Sequence, residues 1–197
     1  DFAYNILPNE IDLFDWETYY AYDGDVEFGV TNARTGEVEY KDALTMTKDC
    51  LMLRATCAIP FVFPEIIIDE VPYYDGGLAN AIPVDRAIEK GYNKHVLILT
   101  RPQGYVKKSG RGTKWSIRLL QKKYPKLVET MRTRAVRYNK RIQEIKELEQ
   151  AGNVFIFKPD YALKSFENKV EKMQASYNMG YRHAKEKMDA LKAFLSE

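Results

Sequence analysis

Two apolar segments separated by a long helical pattern constrain the fold of this chain most. Residues 95–100 read HVLILT, and residues 153–159 read NVFIFKP. Continuous apolar runs of this length are typical of strands that are buried on both faces of a parallel sheet. Parallel strands need a crossover connection, and the helical pattern between these two segments supplies one. We therefore predict a right-handed βαβ unit and an α/β fold class.

The crossover is predicted to contain two helices, one at about 114–122 and one from Pro125 to about residue 151. Proline at the start of a helix and glycine just after its end, here Gly152, are the usual arrangement. Apolar residues recur in the second helix at intervals of three and four: Leu127, Val128, Met131, Ala135, Tyr138, Ile142, Ile145 and Leu148. A last helix is expected from residue 165 onward, and its apolar stripe consists of Tyr177, Tyr181, Ala184, Met188, Leu191 and Leu195.

The first hundred residues predict short strands and short helices. The first 25 residues are read as loop and short helix. Apolar residues alternate with polar ones on both sides of the glycine-containing turn at residues 33–37, which predicts a β-hairpin. A helix is predicted over 44–58, ended by Pro60. The isoleucines at 66–68 predict a buried strand, followed by a turn and a second strand through Tyr73 and Tyr74. A short helix over 83–90 is expected to stop at Gly91.

The stretch YYDGGLANAIP, residues 73–83, places Asp75 at the end of the second of these strands. Ligands and catalytic groups gather at the carboxyl ends of strands in open α/β sheets, and the glycines that follow would allow close approach of a backbone or a substrate. Asp-Gly is also the commonest tight turn. Taken alone, the motif favours a plain turn over chemistry.

The rest of the sequence offers Asp75 no partner for nucleophilic catalysis. The five serines, at 109, 116, 165, 176 and 196, lie in basic-loop or helical contexts, and there is no G-x-S-x-G elbow and no G-x-x-x-x-G-K-[ST] loop. The fragment KSGRG at 108–112 could bind phosphate weakly through its backbone amides, but a flexible linker is the plainer interpretation. The two histidines, His95 and His183, are read as ordinary polar positions, so a Ser-His-Asp triad within this chain is not expected. No histidine or cysteine cluster has metal-ligand spacing, and we expect neither a metal nor a cofactor.

Residues 54–105 resemble the second half of a patatin-like phospholipase domain. The resemblance rests on ordered elements: ATCAIP at 55–60, FP at 63–64, YYDGG at 73–77, NAIP at 80–83, and the step from Ala87 to Gly91 before an apolar strand. It extends back to about residue 20. Residues 105–197 resemble, more loosely, the helical C-terminal extension of bacterial members. The implied architecture is part of a three-layer α/β/α sheet over 1–104, with a mainly helical extension over 105–197 that contains one strand.

The resemblance implies a serine acyl hydrolase that acts on lipid or other esters through a Ser-Asp dyad. Asp75 matches the dyad aspartate, the general base, and Gly76 and Gly77 match the glycines of its loop. The elbow serine and the oxyanion-hole glycines match nothing here. We therefore expect the missing N-terminal half of the same protein to supply them, and we expect this chain alone to be inactive. The residues that bind substrate are not identified.

Charge is concentrated in one part of the chain. Residues 101–150 hold 15 Lys/Arg and 4 Asp/Glu, whereas residues 1–100 hold 7 and 18. The plainer interpretation of the basic part is a solvated helix face. The functional one is attraction of residues 107–141 to an anionic membrane surface. Nucleic-acid binding is not expected, because no recognition motif accompanies the charge. The competing hypothesis for the whole chain is a non-catalytic module that docks on an anionic partner.

Composition favours a globular protein in a reducing compartment. Cys50 and Cys57 give no disulfide framework, and both are read as buried free thiols. No apolar run reaches the roughly 18 residues of a membrane span, and the acidic, aromatic start of the chain is unlike a signal peptide. We expect a cytoplasmic location, with peripheral contact to a membrane if the basic part binds lipid.

Overall fold

A computed structural model describes residues 2–108, 114–164 and 167–196. The chain divides into two compact units. Unit 1 comprises residues 1–83 and 108–138, and unit 2 comprises residues 84–107 and 139–197. The sequence boundary between residues 104 and 105 stays a prediction.

The described residues form six α-helices and six strands. The helices are α1 Trp16–Tyr20, α2 Leu51–Thr56, α3 Val84–Glu89, α4 Lys114–Lys123, α5 Pro125–Gln150 and α6 Val170–Ser196. The strands are β1 Glu27–Asn32, β2 Val38–Asp42, β3 Ile66–Ile68, β4 Val71–Asp75, β5 His95–Ile98 and β6 Val154–Phe157. Mixed helices and sheets are therefore confirmed, and the three-layer arrangement stays a prediction.

Unit 1 is built on a four-stranded antiparallel sheet with the order β2-β1-β4-β3. The predicted hairpin is confirmed, because β1 pairs with β2 from Glu27 opposite Asp42 to Thr31 opposite Val38. The β3–β4 hairpin turns at Asp69 and Glu70, which have φ values of 47° and 63°. Strand β4 also pairs with β1, which puts Asp75 opposite Val30 in the middle of the sheet.

Two predictions in unit 1 are wrong in detail. The helix predicted over 44–58 is shorter: a 3-10 turn covers Ala43–Thr45, and α2 begins only after Cys50, whose φ of 53° interrupts a continuous helix. The isoleucine strand is not fully buried, because Ile67 is 52% exposed. Successive side chains of a strand point to opposite faces. The core of unit 1 covers the face of Ile66, and the side chain of Ile67 lies on the other.

The first half of α5 completes the core of unit 1. Leu127 is fully buried and joins Tyr74, Leu78 and Tyr124 in one apolar cluster. All eight apolar positions predicted for this helix are buried or half-buried. The helix also ends as predicted, because Gly152 takes the left-handed conformation with φ of 79°. Its 3.6-residue period therefore predicted both the helix and its packed face.

Unit 2 contains the predicted parallel strand pair. Strands β5 and β6 run in register from His95 opposite Val154 to Ile98 opposite Phe157. Burial on both faces is wrong, since Val96 is 40% and Ile98 79% exposed. The sheet formed by the described residues has two strands, so alternate side chains of β5 remain in contact with solvent.

The last helix, α6, forms but begins at Val170, later than the predicted residue 165, and it packs through a different face. Its buried residue is Met179, while Tyr177, Tyr181 and Leu195 of the predicted stripe are each more than half exposed. The side chain of Lys94 reaches the end of this helix and donates to the carbonyl oxygen of Phe194 at 2.6 Å. No helix among the described residues is long and apolar enough to cross a membrane.

Candidate active site

Asp75 is the last residue of β4, and both its amide and its carbonyl group are hydrogen-bonded to other parts of unit 1. Its amide donates to the carbonyl oxygen of Ala58 at 2.8 Å. Its own carbonyl oxygen accepts a hydrogen bond from Thr31 Oγ1 at 2.8 Å. Ala58 lies in the ATCAIP segment and Thr31 lies in β1, so two separate parts of unit 1 meet at the aspartate.

The carboxylate of Asp75 caps the turn that follows it. Gly76–Leu78 form one turn of 3-10 helix, and Oδ1 of Asp75 accepts the amide hydrogen of Gly77 at 2.7 Å. An acceptor at this position satisfies an amide that the short helix leaves unpaired. The bond also fixes the orientation of the half-buried carboxylate. The same hydrogen bond therefore stabilises the turn and orients the side chain of Asp75.

Gly76 is required by a close approach of two backbones. A Cβ atom placed on Gly76 would lie 2.1 Å from the carbonyl oxygen of Gly29 in β1. That oxygen also accepts a hydrogen bond from Thr56 Oγ1 at 2.6 Å. At Gly77 the constraint is milder, because a Cβ would meet Oδ1 of Asp75 at 3.1 Å and Nη2 of Arg134 at 3.6 Å. Both glycines therefore shape the loop, but for different steric reasons.

Two arginines of α5 bind the carbonyl groups of this loop. Nε of Arg134 donates to the oxygen of Gly77 at 2.7 Å, and Nη2 of Arg137 donates to that of Leu78 at 2.7 Å. Nε of Arg137 also reaches the oxygen of Ala79 at 3.3 Å. The sequence predicted these residues only as members of a basic face. The sequence did contain a signal that Arg134 faces the protein, because this residue falls in the same three-and-four spacing as the apolar Met131 and Tyr138.

The segment after the loop is held by polar side chains from the hairpin. Asn80 Nδ2 donates to the hydroxyl oxygen of Tyr40 at 2.9 Å. The amide of Ala79 donates to Thr31 Oγ1 at 3.3 Å. These bonds run from Ala79 and Asn80 to β1 and β2, which keeps the loop against the antiparallel sheet.

The tyrosines before Asp75 are each bonded to a carboxylate. The hydroxyl of Tyr73 donates to Glu39 Oε2 at 2.6 Å, and that of Tyr74 donates to Glu65 Oε2 at 3.2 Å. Burial alone would raise the pKa of Glu39, but hydrogen bonds from Lys41, Tyr73 and Asn32 hold it at about 2.

Glu65 carries the second of these anions. The side chain of Lys123 bonds to it, as does that of Tyr124, and the pKa of Glu65 is lowered to about 2. Burial, followed by the charge of Glu65, raises the pKa of Tyr74 to about 12. Both carboxylates are thus ionised, paired groups that stabilise the sheet on either side of Asp75.

Two of the five serines have described side chains, Ser176 and Ser196, and both lie in unit 2. Ser176 and Ser196 donate to carbonyl oxygens of their own helix, α6, in unit 2. Ser116 lies in α4; Ser109 and Ser165 lie outside the described residues. His183 contacts Asp160 at 3.0 Å, also in unit 2. Within the described ranges, no group of three or more His, Cys, Asp or Glu side chains could hold a metal ion.

The thiols differ in exposure. Cys50 is buried, as predicted, whereas the prediction for Cys57 is wrong because that thiol is exposed. Cys57 directly follows α2 and precedes the buried Ala58, and several large side chains beyond it are also exposed, namely Ile59, Phe61, Val62 and Phe63.

Two regions of the chain match known protein families. Residues 17–88 match the patatin-like phospholipase model, and residues 124–196 match a model described as a domain of unknown function, DUF6363. No curated protein matches the chain. Asp75, Gly76 and Gly77 lie inside the first match, and Arg134 and Arg137 lie inside the second. The resemblance found in the sequence is thereby confirmed for residues 17–88, whose match is to a family of lipid acyl hydrolases.

Proposed function

We propose that this chain supplies the general base of a Ser-Asp dyad in a serine acyl hydrolase acting on lipid-like esters, and that Asp75 is that base. One observation carries the proposal most. The carboxylate of Asp75 is oriented by the Gly77 amide at the end of a strand, inside the region that matches the patatin-like family. A general base must be held within hydrogen-bond reach of the proton that it removes, and a fixed carboxylate meets this need.

The chemistry needs no histidine. Asp75 takes the hydroxyl proton of the serine while the serine oxygen forms a bond to the ester carbonyl carbon. The tetrahedral intermediate expels the alcohol, which receives the proton from Asp75. Water then attacks the acyl-serine, again losing its proton to Asp75, and the serine is regenerated as the carboxylic acid leaves.

The nucleophile and the oxyanion hole are proposed to come from residues outside these 197. The sequence contains no G-x-S-x-G elbow, and Ser176 and Ser196 are engaged with their own helix. The oxyanion hole usually supplies the largest single part of such a rate enhancement. The 197-residue chain alone is therefore expected to show no turnover of p-nitrophenyl esters. Turnover by this chain that Asp75→Asn abolishes would contradict this part of the proposal.

The decisive experiment compares two aspartate variants in the complete natural protein. Asp75→Asn should lower kcat for a lipid ester by about 100-fold to 10,000-fold, because general-base catalysis is lost. Asp69→Asn is the matched control. It makes the same charge change at an exposed turn position with φ of 47°, which asparagine tolerates. Equal activity of Asp75→Asn and wild type would refute the assignment.

A second function, attraction to an anionic membrane surface, is favoured by the cations that remain exposed in unit 1. Arg134 and Arg137 are bonded to the loop, but Arg118, Lys122 and Lys126 are exposed on α4 and the start of α5. Each basic residue near an anionic membrane surface contributes about 1 kcal/mol of attraction. This contact would make the protein peripheral to the membrane.

Vesicle co-sedimentation tests the membrane contact. Lys122→Glu combined with Lys126→Glu should weaken binding to phosphatidylserine vesicles several-fold, and added salt should do the same to the wild type. The exposed Lys48→Glu is the control, because it lies in the same unit but outside the basic helices. Binding that neither salt nor the double variant reduces would exclude this function.

A further inference from the structure

The arginines of α5 meet three successive carbonyl groups directly after Asp75. Arg134 and Arg137 are one helical turn apart, so their side chains leave α5 on the same side. Between them they donate to the oxygens of Gly77, Leu78 and Ala79. We refer to these two side chains as the arginine pair.

A three-residue helix cannot satisfy its own carbonyl groups. The last carbonyls of any helix lack intrahelical partners and carry partial negative charge, which favours a cation nearby. The turn Gly76–Leu78 is too short to bond most of its carbonyls internally. The arginine pair supplies the missing donors, and charged donors form stronger hydrogen bonds than neutral ones.

Two effects act against the charge of Arg137 at this position. Burial, and then the charge of Arg134, lower the pKa of Arg137. The described contacts of the guanidinium of Arg137 are to neutral oxygens: the carbonyls of Leu78, Ala79 and Thr130 and the hydroxyl of Thr133. Two arginines side by side repel each other.

Gly77 links the arginine pair to the carboxylate. Its amide donates to Asp75 Oδ1 at 2.7 Å, and its carbonyl accepts from Arg134 Nε at 2.7 Å. Arg134 Nη2 and Asp75 Oδ1 lie 3.6 and 3.1 Å from the same point beside Gly77. The guanidinium and the carboxylate are thus no more than about 7 Å apart, a range in which opposite charges attract appreciably at a protein surface.

We propose that the arginine pair is a positioning device that holds the Asp75 loop in the geometry required for general-base catalysis. This inference rests on the proposed function of Asp75. It gives a role to the first part of the region that matches DUF6363: its helix α5 completes the active-site loop of the patatin-like region. Arg134 and Arg137 act through the loop and do not themselves take part in proton transfer.

The first readout is independent of activity. Amide hydrogen exchange of Gly77, Ala79 and Asn80, whose amides are all hydrogen-bonded, is measured by NMR in the complete natural protein. Arg134→Met with Arg137→Met should speed exchange at these amides at least tenfold. Arg132→Met is the control, because Arg132 is exposed on the same helix and bonds the side chain of Gln121. Unchanged exchange in the double variant would overturn the proposal.

The second readout separates positioning from folding. Active sites are counted with a fluorophosphonate, and kcat per labelled site should fall about 10-fold to 100-fold in the double variant with KM little changed. Arg134→Lys keeps the charge but loses the Nε donor. It should show a smaller loss of the same kind, and it replaces the double variant if that protein does not fold.

The outcomes distinguish this inference from the proposed function. If the Arg134→Met and Arg137→Met double variant folds and its kcat per labelled site equals that of the wild type, the positioning role is overturned. If the wild type shows no Asp75-dependent hydrolysis, the proposed function fails. The exchange measurement then decides alone whether the arginine pair holds the loop.

Discussion

Gly76 and Gly29 approach so closely that a single methyl group on Gly76 would lie 2.1 Å from the carbonyl oxygen of Gly29. The contact joins the Asp75 loop to the central strand β1 through main-chain atoms alone. Because the opposing atom is backbone oxygen within a paired strand, it cannot move without breaking the pairing of β1 with β2 and β4. The position of Asp75 therefore depends on the absence of a side chain at residue 76.

We expect Gly76→Ala to destabilise the protein by about 3 kcal/mol or more, since it forces main-chain atoms apart in the sheet. Gly77→Ala is the matched comparison. Its new Cβ would meet the side chains of Asp75 and Arg134 at ordinary or slightly short distances, so the cost should be about 1 kcal/mol or less. Urea unfolding monitored by circular dichroism measures both. Equal destabilisation by the two variants would contradict the steric assignment.

The core of unit 1 gives a second test. Leu127 of α5 is fully buried among Tyr74, Leu78 and Tyr124. Leu127→Ala should cost about 2–4 kcal/mol of unfolding free energy through lost burial and a residual cavity. Leu119→Ala removes the same atoms from a leucine of α4 that is 60% exposed, and it should cost under about 1 kcal/mol. A small effect at Leu127 would mean that α5 does not pack on the sheet.

Local periodicity explains which features the sequence predicted. The β1–β2 hairpin and α5 were predicted correctly because alternation and three-and-four spacing are properties of neighbouring residues. The exposure of Ile67 and Ile98 was not predicted, because the burial of a strand face depends on elements that are distant in sequence. The contacts of Arg134 and Arg137 were missed for a related reason. A run of basic residues indicates a polar helix face but not which of its members turn toward the protein.

The two thiols should react at different rates. Cys57 is exposed, whereas Cys50 is buried and its pKa is raised by that burial and then by the nearby Asp49. Since the thiolate is the nucleophile, iodoacetamide at pH 8 should alkylate Cys57 at least about tenfold faster than Cys50 in the folded protein. Mass spectrometry of tryptic peptides measures both rates. Cys57→Ser should abolish the fast phase, and a fast phase that persists in this variant would show that Cys50 is accessible.

Glu65 should make stability depend on pH in acid. Its pKa is lowered from 4.5 to about 2 by the hydrogen bond from Lys123 and the further contact with Tyr124. An acid whose folded pKa lies below its unfolded value stabilises the protein above the unfolded value, and this contribution is lost as the pH falls through the folded one. The wild type should therefore be more stable than Glu65→Gln at pH 7, and the difference should shrink as the pH falls from about 4.5 to about 2.

Thermal unfolding at several pH values measures this difference directly. Glu37→Gln is the control, because this substitution makes the same chemical change at an exposed residue of the same unit. Other carboxylates also lose charge in acid, but their effects cancel between wild type and variant, since both proteins share them. The expected signature is a difference in Tm that is largest at neutral pH for Glu65→Gln and close to zero at all pH values for Glu37→Gln. A Glu65→Gln difference that stays constant down to pH 2 would instead assign the loss to packing, because only an ionised Glu65 can gain from the charge of Lys123.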